Sequence, residues 1–311
     1  MKKVFIDGSQ GTTGLKIFDR LSKRTDIQLI KLPEDKRKDI NARKIALNSA
    51  DIAFLCLPDA AAIEAVSLIE NDNTIVIDTS TAHRTDKGWA YGFPELSDDL
   101  MNEIKSSKRI AVPGCHASGF ISLVRPLVEK GFIKKETALC CHSITGYSGG
   151  GKKMIAEYEA EERSELLSSP RQYGLLQNHK HLKEMVAISG ISTAPIFCPI
   201  VADYFSGMLV TVPLFKKDLI GKKTIEDIKA LYKSIYSSNI VTYCDDFCED
   251  GFMASNKKSE LDNMEITVSG NDERILLVSR YDNLGKGASG AALECMNIVM
   301  GLEPGYNLEL N

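Results

Sequence analysis

The sequence predicts an α/β protein of two domains, one a doubly wound parallel sheet and the other an α+β domain with a mixed sheet. Three observations predict it. The chain has 311 residues, more than the ~100–200 that one ordinary domain uses. Its first third alternates short β-type runs with helical periodicity, the pattern of parallel strands joined by crossover helices. From residue 139 onward, β-like runs follow one another with few helices between them.

Residues 4–7 form a short β-type run, followed by Gly8-Ser9-Gln10-Gly11-Thr12-Thr13-Gly14 and a helical pattern through Leu15, Ile17 and Leu21. A second strand is expected over 27–32, stopped by Pro33, and a third over 51–57, stopped by Pro58. The third is apolar throughout, as buried parallel strands are. Residues 60–69 read as a helix, and 74–78 and 109–112 as strands. Pro113-Gly114-Cys115 then leads into the apolar periodicity of Phe120, Leu123 and Leu127, which places Cys115 between a strand end and a helix start. Separate β-like runs follow at 139–145, 207–214, 263–268 and 274–280, and a small-residue helix over 287–300 is assigned back to the first domain. No internal repeat or low-complexity tract interrupts this order.

Composition narrows the function classes. A hydrophobic fraction of 43% and a charged fraction of 26% are ordinary for a globular protein, and no apolar run approaches the ~20 residues that span a bilayer. The start, Met1-Lys2-Lys3-Val4-Phe5-Ile6-Asp7, meets an acid and a glycine before a signal-like apolar stretch develops, so a cytoplasmic protein is expected. A net charge of −4 argues against nucleic acid and for a small-molecule partner. The eight cysteines are scattered, which reads as reduced thiols. Cys244 and Cys248 lack a second Cys or His pair at zinc-site spacing, so no metal is expected.

The glycines at 8, 11 and 14 follow a strand and open a helix, where backbone amides and the helix N-terminus cradle a pyrophosphate. A Rossmann-type cofactor domain is the reading, with Gly8, Gly11, Thr12, Thr13 and Gly14 in the cradle. The segment after the second strand, Lys31-Leu32-Pro33-Glu34-Asp35-Lys36-Arg37-Lys38, carries basic residues suited to the 2′-phosphate of NADP, while Glu34 and Asp35 keep NAD open.

Cys115 is the candidate nucleophile, because a helix N-terminus favours a thiolate. A base near neutrality is needed beside it, and His179 and His181 in Asn178-His179-Lys180-His181 suit that task; either could serve. His116 and His142 are read as structural. Ser148 and Gly149, in Gly146-Tyr147-Ser148-Gly149-Gly150-Gly151-Lys152, belong to a loop able to hold an anionic group or an oxyanion. Ser80 and Arg84 follow a strand's carboxyl end, where ligands of open α/β sheets gather, and Arg84 is suited to a carboxylate or phosphate.

These pieces together resemble the N-acetyl-γ-glutamyl-phosphate reductase family in its short form, and more distantly the aspartate-semialdehyde and glyceraldehyde-3-phosphate dehydrogenases. The resemblance spans nearly the whole chain through seven motifs in order: the glycine loop, Asp78-x-Ser80-x-Ala82-x-Arg84, Tyr91-Gly92-Phe93-Pro94-Glu95-Leu96, Pro113-Gly114-Cys115, Ser148-Gly149-Gly150-Gly151-Lys152, His179-x-His181-x-x-Glu184, and Asp282-Asn283-Leu284-x-Lys286-Gly287-Ala288-Ser289-Gly290. It implies NADPH-dependent reduction of N-acetyl-L-glutamyl 5-phosphate to the 5-semialdehyde, in arginine biosynthesis. Cys115 would carry the acyl group, His181 of the histidine pair would act as acid/base, and Glu184 would face the substrate. The segment 283–290, with Asn283 and Gly287, would close over the nicotinamide. The implied domains are 1–114 with 284–311 for NADP, and 115–283 for catalysis and oligomerisation as a dimer or tetramer. Val112 and Lys183 depart from the family's usual Asn and Pro, which leaves fine substrate preference open. A related reductase acting on aspartyl phosphate, and a non-catalytic Rossmann binding protein, are the rival readings.

Overall fold

A computed structural model describes residues 1–310. The chain divides into two compact units: Met1–Pro94, Asp98–Gly114 and Ala291–Tyr306 in the first, and Glu95–Ser97, Cys115–Gly290 and the segment from Asn307 in the second.

In the first unit, β1 (Lys2–Asp7), β2 (Ile27–Ile30), β3 (Ile52–Leu55), β4 (Ile75–Asp78), β5 (Ala90–Tyr91) and β6 (Arg109–Ala111) form one sheet in the order β2-β1-β3-β4-β6-β5. Every pairing is parallel. The helices are α1 (Thr12–Leu21), α2 (Ile40–Ser49), α3 (Asp59–Ser67) and α4 (Asp98–Ser106). All four residues of β3 are buried, which is why this strand reads as an unbroken apolar run. Gly14, Ile17 and Leu21 give α1 its buried stripe at helical spacing. The strand order reverses direction between β1 and β3, so the glycine loop after β1 opens at the switch point where open α/β sheets bind ligands.

The second unit begins with α5 (Cys115–Glu129), followed by β7 (Cys140–Gly146), α6 (Gly151–Tyr158), β8 (Arg171–Gln172), α7 (His181–Ser189), β9 (Ile196–Ala202) and β10 (Met208–Phe215). It continues with α8 (Ile225–Ile235), β11 (Val241–Tyr243), β12 (Met264–Gly270) and β13 (Arg274–Tyr281), after which α9 (Gly290–Val299) belongs, from Ala291 on, to the first unit. The sheet is mixed, in the order β11-β12-β13-β10-β7-β9-β8. In β10 the residues Met208, Val210, Val212 and Leu214 face inward and alternate with more open neighbours, the period of a half-buried strand.

Nearly all of α5 is buried, and Pro126 stands inside it. Proline has no N–H for the carbonyl four residues back. That carbonyl, on Ser122, accepts from the Tyr236 hydroxyl at 2.6 Å, and the next one, on Leu123, accepts from Tyr232. A proline that would break an exposed helix is tolerated because two buried tyrosines of one unit serve its open turn.

Three segments expected in the first domain lie in the second unit. Residues 284–290, expected with the first domain, lie in the second unit, because the Asp282 carboxylate accepts from the Leu284 and Gly285 amides at 2.7 Å each. Buried Lys286 also pairs with Glu95 at 2.6 Å, which draws Glu95–Ser97 into the same unit. The terminal segment, likewise expected with the first domain, is held by reciprocal bonds between Asp262 and Glu309. The helix expected from Gly287 starts as a π-helical turn over Gly285–Ser289, a form frequent at functional sites.

Candidate active site and cofactor cradle

The cradle is built into the first unit by close backbone approach. Gly8 has φ 85°, and a Cβ there would stand 2.3 Å from the Cys56 carbonyl oxygen. A Cβ on Gly14 would meet the Gly8 carbonyl oxygen at 2.3 Å. These two glycines are required by the fold itself. Gly11 is different: its φ is −70° and a Cβ would find its nearest neighbour at 3.5 Å, an ordinary contact. The fold itself does not require a glycine there. Gly11 is also the N-cap of α1 with no side-chain cap hydrogen bond, the kind of helix start that suits an anion.

A pocket of about 620 Å³ adjoins the loop, lined by Gly8, Ser9, Lys31, Arg37, Lys38 and Arg43 among others. Arg43 is buried, pairs with Asp7 at 3.0 Å and Glu64 at 2.7 Å, and keeps Nη2 without a hydrogen-bond partner among the described residues. Thr12 Oγ1 is likewise a buried hydroxyl without a partner. Orphaned donors at a glycine cradle fit a dinucleotide that brings its own phosphate and ribose oxygens. Burial raises the Asp7 carboxyl while the Arg43 charge opposes it. No sequence spacing pairs Asp7 with Arg43; the parallel sheet does.

Ser80 and Arg84 belong to the first unit, and their polar groups turn inward. The Ser80 hydroxyl donates to Asp78 at 2.7 Å, and His83 Nδ1 meets the same carboxylate at 2.6 Å while its ring stacks on Trp89. Arg84 Nε donates to the Val112 carbonyl at 2.8 Å and Nη2 to that of Thr79 at 3.0 Å. Arg84 ties the chain after β4 to the chain after β6, while Ser80 holds the turn that follows β4.

The second unit gathers the remaining candidates. Cys115 is the first residue of α5, half-buried. The Tyr281 hydroxyl donates to the Cys115 carbonyl at 2.5 Å and accepts from the Gly119 amide at 3.0 Å, bridging the two groups that an α-helical turn pairs directly. A Cβ on Gly119 would lie 2.6 Å from that hydroxyl, so the glycine makes room for the tyrosine. Gly287 closes on Cys115 from another side, where a Cβ would lie 3.0 Å from the Cys115 Cβ.

Three imidazoles cluster here. His116 has its ring centre 5.8 Å from that of His179 and 5.6 Å from that of His181, and the latter two are 4.8 Å apart. His116, read as structural from the sequence, is one corner of this triangle, with both ring nitrogens engaged, Nδ1 with Ser143 Oγ at 2.6 Å and Nε2 with Tyr173 OH at 2.7 Å. Burial, and then the charge of His179, lower its pKa to about 3, so it stays neutral. The Tyr173 phenol is pushed up by burial and by the nearby Cys115 sulfur, so it remains a donor. His179 is lowered by burial and by Lys180, and its Nδ1 accepts from the His181 amide at 3.2 Å. His181 and Glu184 share one side of α7 near its start, and both are buried.

Ser148 is buried, and Asn283 Nδ2 donates to its Oγ at 3.0 Å, while Asn283 Oδ1 accepts from the Gly207 amide at 2.9 Å. Asn283 therefore braces Ser148 within the second unit. The amides of Tyr147 and Ser148 are already used by the carbonyls of Tyr204 and Phe205 at 2.9 and 3.0 Å, which leaves exposed Gly149 and Gly150 as the open part of the loop.

Comparison with known proteins shows the family of the chain. The family description "Semialdehyde dehydrogenase, NAD binding domain" matches residues 3–104, and "Semialdehyde dehydrogenase, dimerisation domain" matches 115–283. An N-acetyl-gamma-glutamyl-phosphate reductase 2 of Nostoc sp. is 41% identical, covering 96% of this chain and 97% of its own. The N-acetyl-gamma-glutamyl-phosphate reductase of Chelativorans sp. is 42% identical, over 96% and 98%. The chain belongs to the N-acetyl-γ-glutamyl-phosphate reductase family. Among solved structures, this member of the family shares its fold with aspartate semialdehyde dehydrogenase II of Vibrio cholerae at TM-score 0.71 and 15% identity, covering 97% of this chain and 98% of that one. The aspartate semialdehyde dehydrogenase of Francisella tularensis is similar at TM-score 0.71 and 17% identity, over 96% and 100%. Among the described residues of the family member no helix is long and apolar enough to cross a membrane.

Proposed function

We propose that the chain reduces N-acetyl-L-glutamyl 5-phosphate to N-acetyl-L-glutamate 5-semialdehyde and phosphate, with NADPH as reductant and Cys115 as nucleophile, as a step of arginine biosynthesis in the cytoplasm. The observation that carries the reading is Cys115 at the start of α5, in the same unit as a cluster of three histidines, in a chain 41% identical to such reductases over 96% of its length. A thiolate at a helix start attacks the acyl carbon, and the C–O bond to phosphate breaks as the thioester forms. NADPH, when bound, supplies the hydride that reduces this thioester. Collapse of the thiohemiacetal returns the thiolate and frees the aldehyde, and an imidazole holds the proton that moves during these steps.

His181 is assigned the acid/base role. His116 is excluded from it because both its nitrogens are engaged and burial keeps it neutral. Gly8, Gly11, Thr12, Thr13, Gly14 and Arg43 would hold the cofactor phosphates and ribose, and Lys31, Arg37 and Lys38 favour NADPH. Asn283 with Ser148, and Gly287, would shape the surroundings of the thiol, and Glu184 would face the substrate. The matched dimerisation-domain description supports assembly of two or more copies.

The test is single-site replacement. Cys115→Ser loses turnover by at least about 10³-fold while NADPH affinity stays within about twofold, since a hydroxyl replaces a thiolate poorly. His181→Asn loses about 10²–10⁴-fold. Full turnover in Cys115→Ser would sink the nucleophile assignment, and a larger loss in His179→Asn than in His181→Asn would move the proton transfer to His179.

A further inference from the structure

A second group of soft donors lies in the second unit, on the face of the sheet opposite His116. Along β7, Cys141, Ser143 and Thr145 turn inward, and Cys140 and His142 turn outward at i and i+2. β9 runs parallel beside it, with Cys198 in register with His142 and Ile196 with Cys140. On β9 the inward residue is Phe197, whose ring touches His116 and His179, so Cys198 faces out with the β7 pair. One ligand atom from each of Cys140, His142 and Cys198 lies within 4.8 Å of the other two, and Cys140 Sγ is 3.5 Å from His142 Nε2.

We propose that Cys140, His142 and Cys198 form a site for a soft divalent cation of the zinc class, separate from the catalytic thiol and independent of the reductase reading. Three arguments support it. Metal–sulfur bonds of about 2.3 Å and metal–nitrogen bonds of about 2.0 Å at tetrahedral angles require ligand atoms about 3.5–3.8 Å apart; Cys140 and His142 already stand 3.5 Å apart, and all three ligand atoms lie within 4.8 Å of one another. Two thiolates and an imidazole are the donor set that selects zinc over magnesium or calcium, and the thiolates balance the ion's charge. The donors stand on adjacent strands that each have a further neighbour in the sheet, so the backbone is already fixed. A single thiol on such a face is explained by packing; two thiols and an imidazole converging on one point are not.

Binding displaces the two thiol protons and leaves a fourth position for water or another ligand. The ion would staple β7 to β9 behind Ser143, whose hydroxyl meets His116 on the inner face at 2.6 Å.

Cobalt(II) is the probe, titrated into the reduced, metal-stripped full-length protein alongside Cys140→Ser/Cys198→Ser and His142→Ala. The expected result is one Co²⁺ per chain with near-ultraviolet thiolate-to-cobalt absorption and the visible bands of a tetrahedral site. That absorption disappears in the double variant, and His142→Ala weakens binding by at least about tenfold. The double variant retains reductase turnover, which checks its folding, and Cys115, Cys244 and Cys248 are common to all chains. Absence of the thiolate absorption in the unmodified protein, or its persistence in a folded double variant, overturns the site.

Discussion

At the scale of residues, Gly11 separates fold from ligand more cleanly than any other position in the cradle. Its Cβ has room and its backbone is in an ordinary region, whereas Gly8 is at φ 85° with a carbonyl 2.3 Å from any Cβ. Gly11→Ala is therefore expected to keep its unfolding midpoint and to weaken NADPH binding by about tenfold or more, a loss of about 1.4 kcal/mol. Gly8→Ala is expected to lose stability as well, by about 1–3 kcal/mol. Titration of NADPH fluorescence and urea unfolding check both; unchanged affinity in Gly11→Ala would remove the cradle from the cofactor site. His116 gives a second residue-level expectation. Its pKa falls from 6.5 to about 3 on folding, so between those values the unfolded chain binds a proton that the native chain does not. Stability thus falls as pH drops below 6.5, by about 1.4 kcal/mol per unit from this residue. Urea unfolding at pH 7 and 5.5 measures it, and the fall is smaller in His116→Gln; equal falls in both proteins would contradict a neutral buried imidazole.

Elements were legible where one strand or one turn of helix carries its own signal. The apolar run of β3 and the strand–glycine–helix passage at Gly8 are local patterns, and Cys115 follows β6 closely enough for its helix start to be read directly. Strands β5, β8 and β11 are too short to show a period. β9 contains Pro199, which suppresses a strand reading, yet it is ordered by seven register contacts with β7, and the Pro199 carbonyl accepts from the Tyr173 amide. Distance along the chain concealed the rest: Tyr281 reaches the Cys115 turn from 166 residues away, Arg43 reaches Asp7 from 36, and Tyr236 reaches Ser122 from 114. The last of these carries a prediction. Tyr236→Phe leaves the Ser122 carbonyl, already deprived by Pro126, buried without its donor, and is expected to cost about 1–3 kcal/mol. Thermal or urea unfolding reads it; a neutral result would mean that the proline-opened turn closes by other means.

At the scale of the whole molecule, the fold class and the family were readable because seven motifs keep their order along the chain. The return at 284 was placed too early, since the turn around Asp282 and the Lys286–Glu95 pair are contacts that no local pattern encodes. The shared fold of aspartate semialdehyde dehydrogenases cannot choose the substrate, and the reductase relatives at about 41% identity favour the acetylated glutamyl chain. The decisive measurement is the reverse reaction with purified protein, N-acetylglutamate 5-semialdehyde and NADP⁺, followed as NADPH formation with and without inorganic phosphate. Turnover that requires phosphate, exceeds that with aspartate semialdehyde by at least about 10²-fold and is lost in Cys115→Ser is the expected result. NADPH formation indifferent to phosphate or to Cys115, or faster with the aspartyl aldehyde, would contradict it.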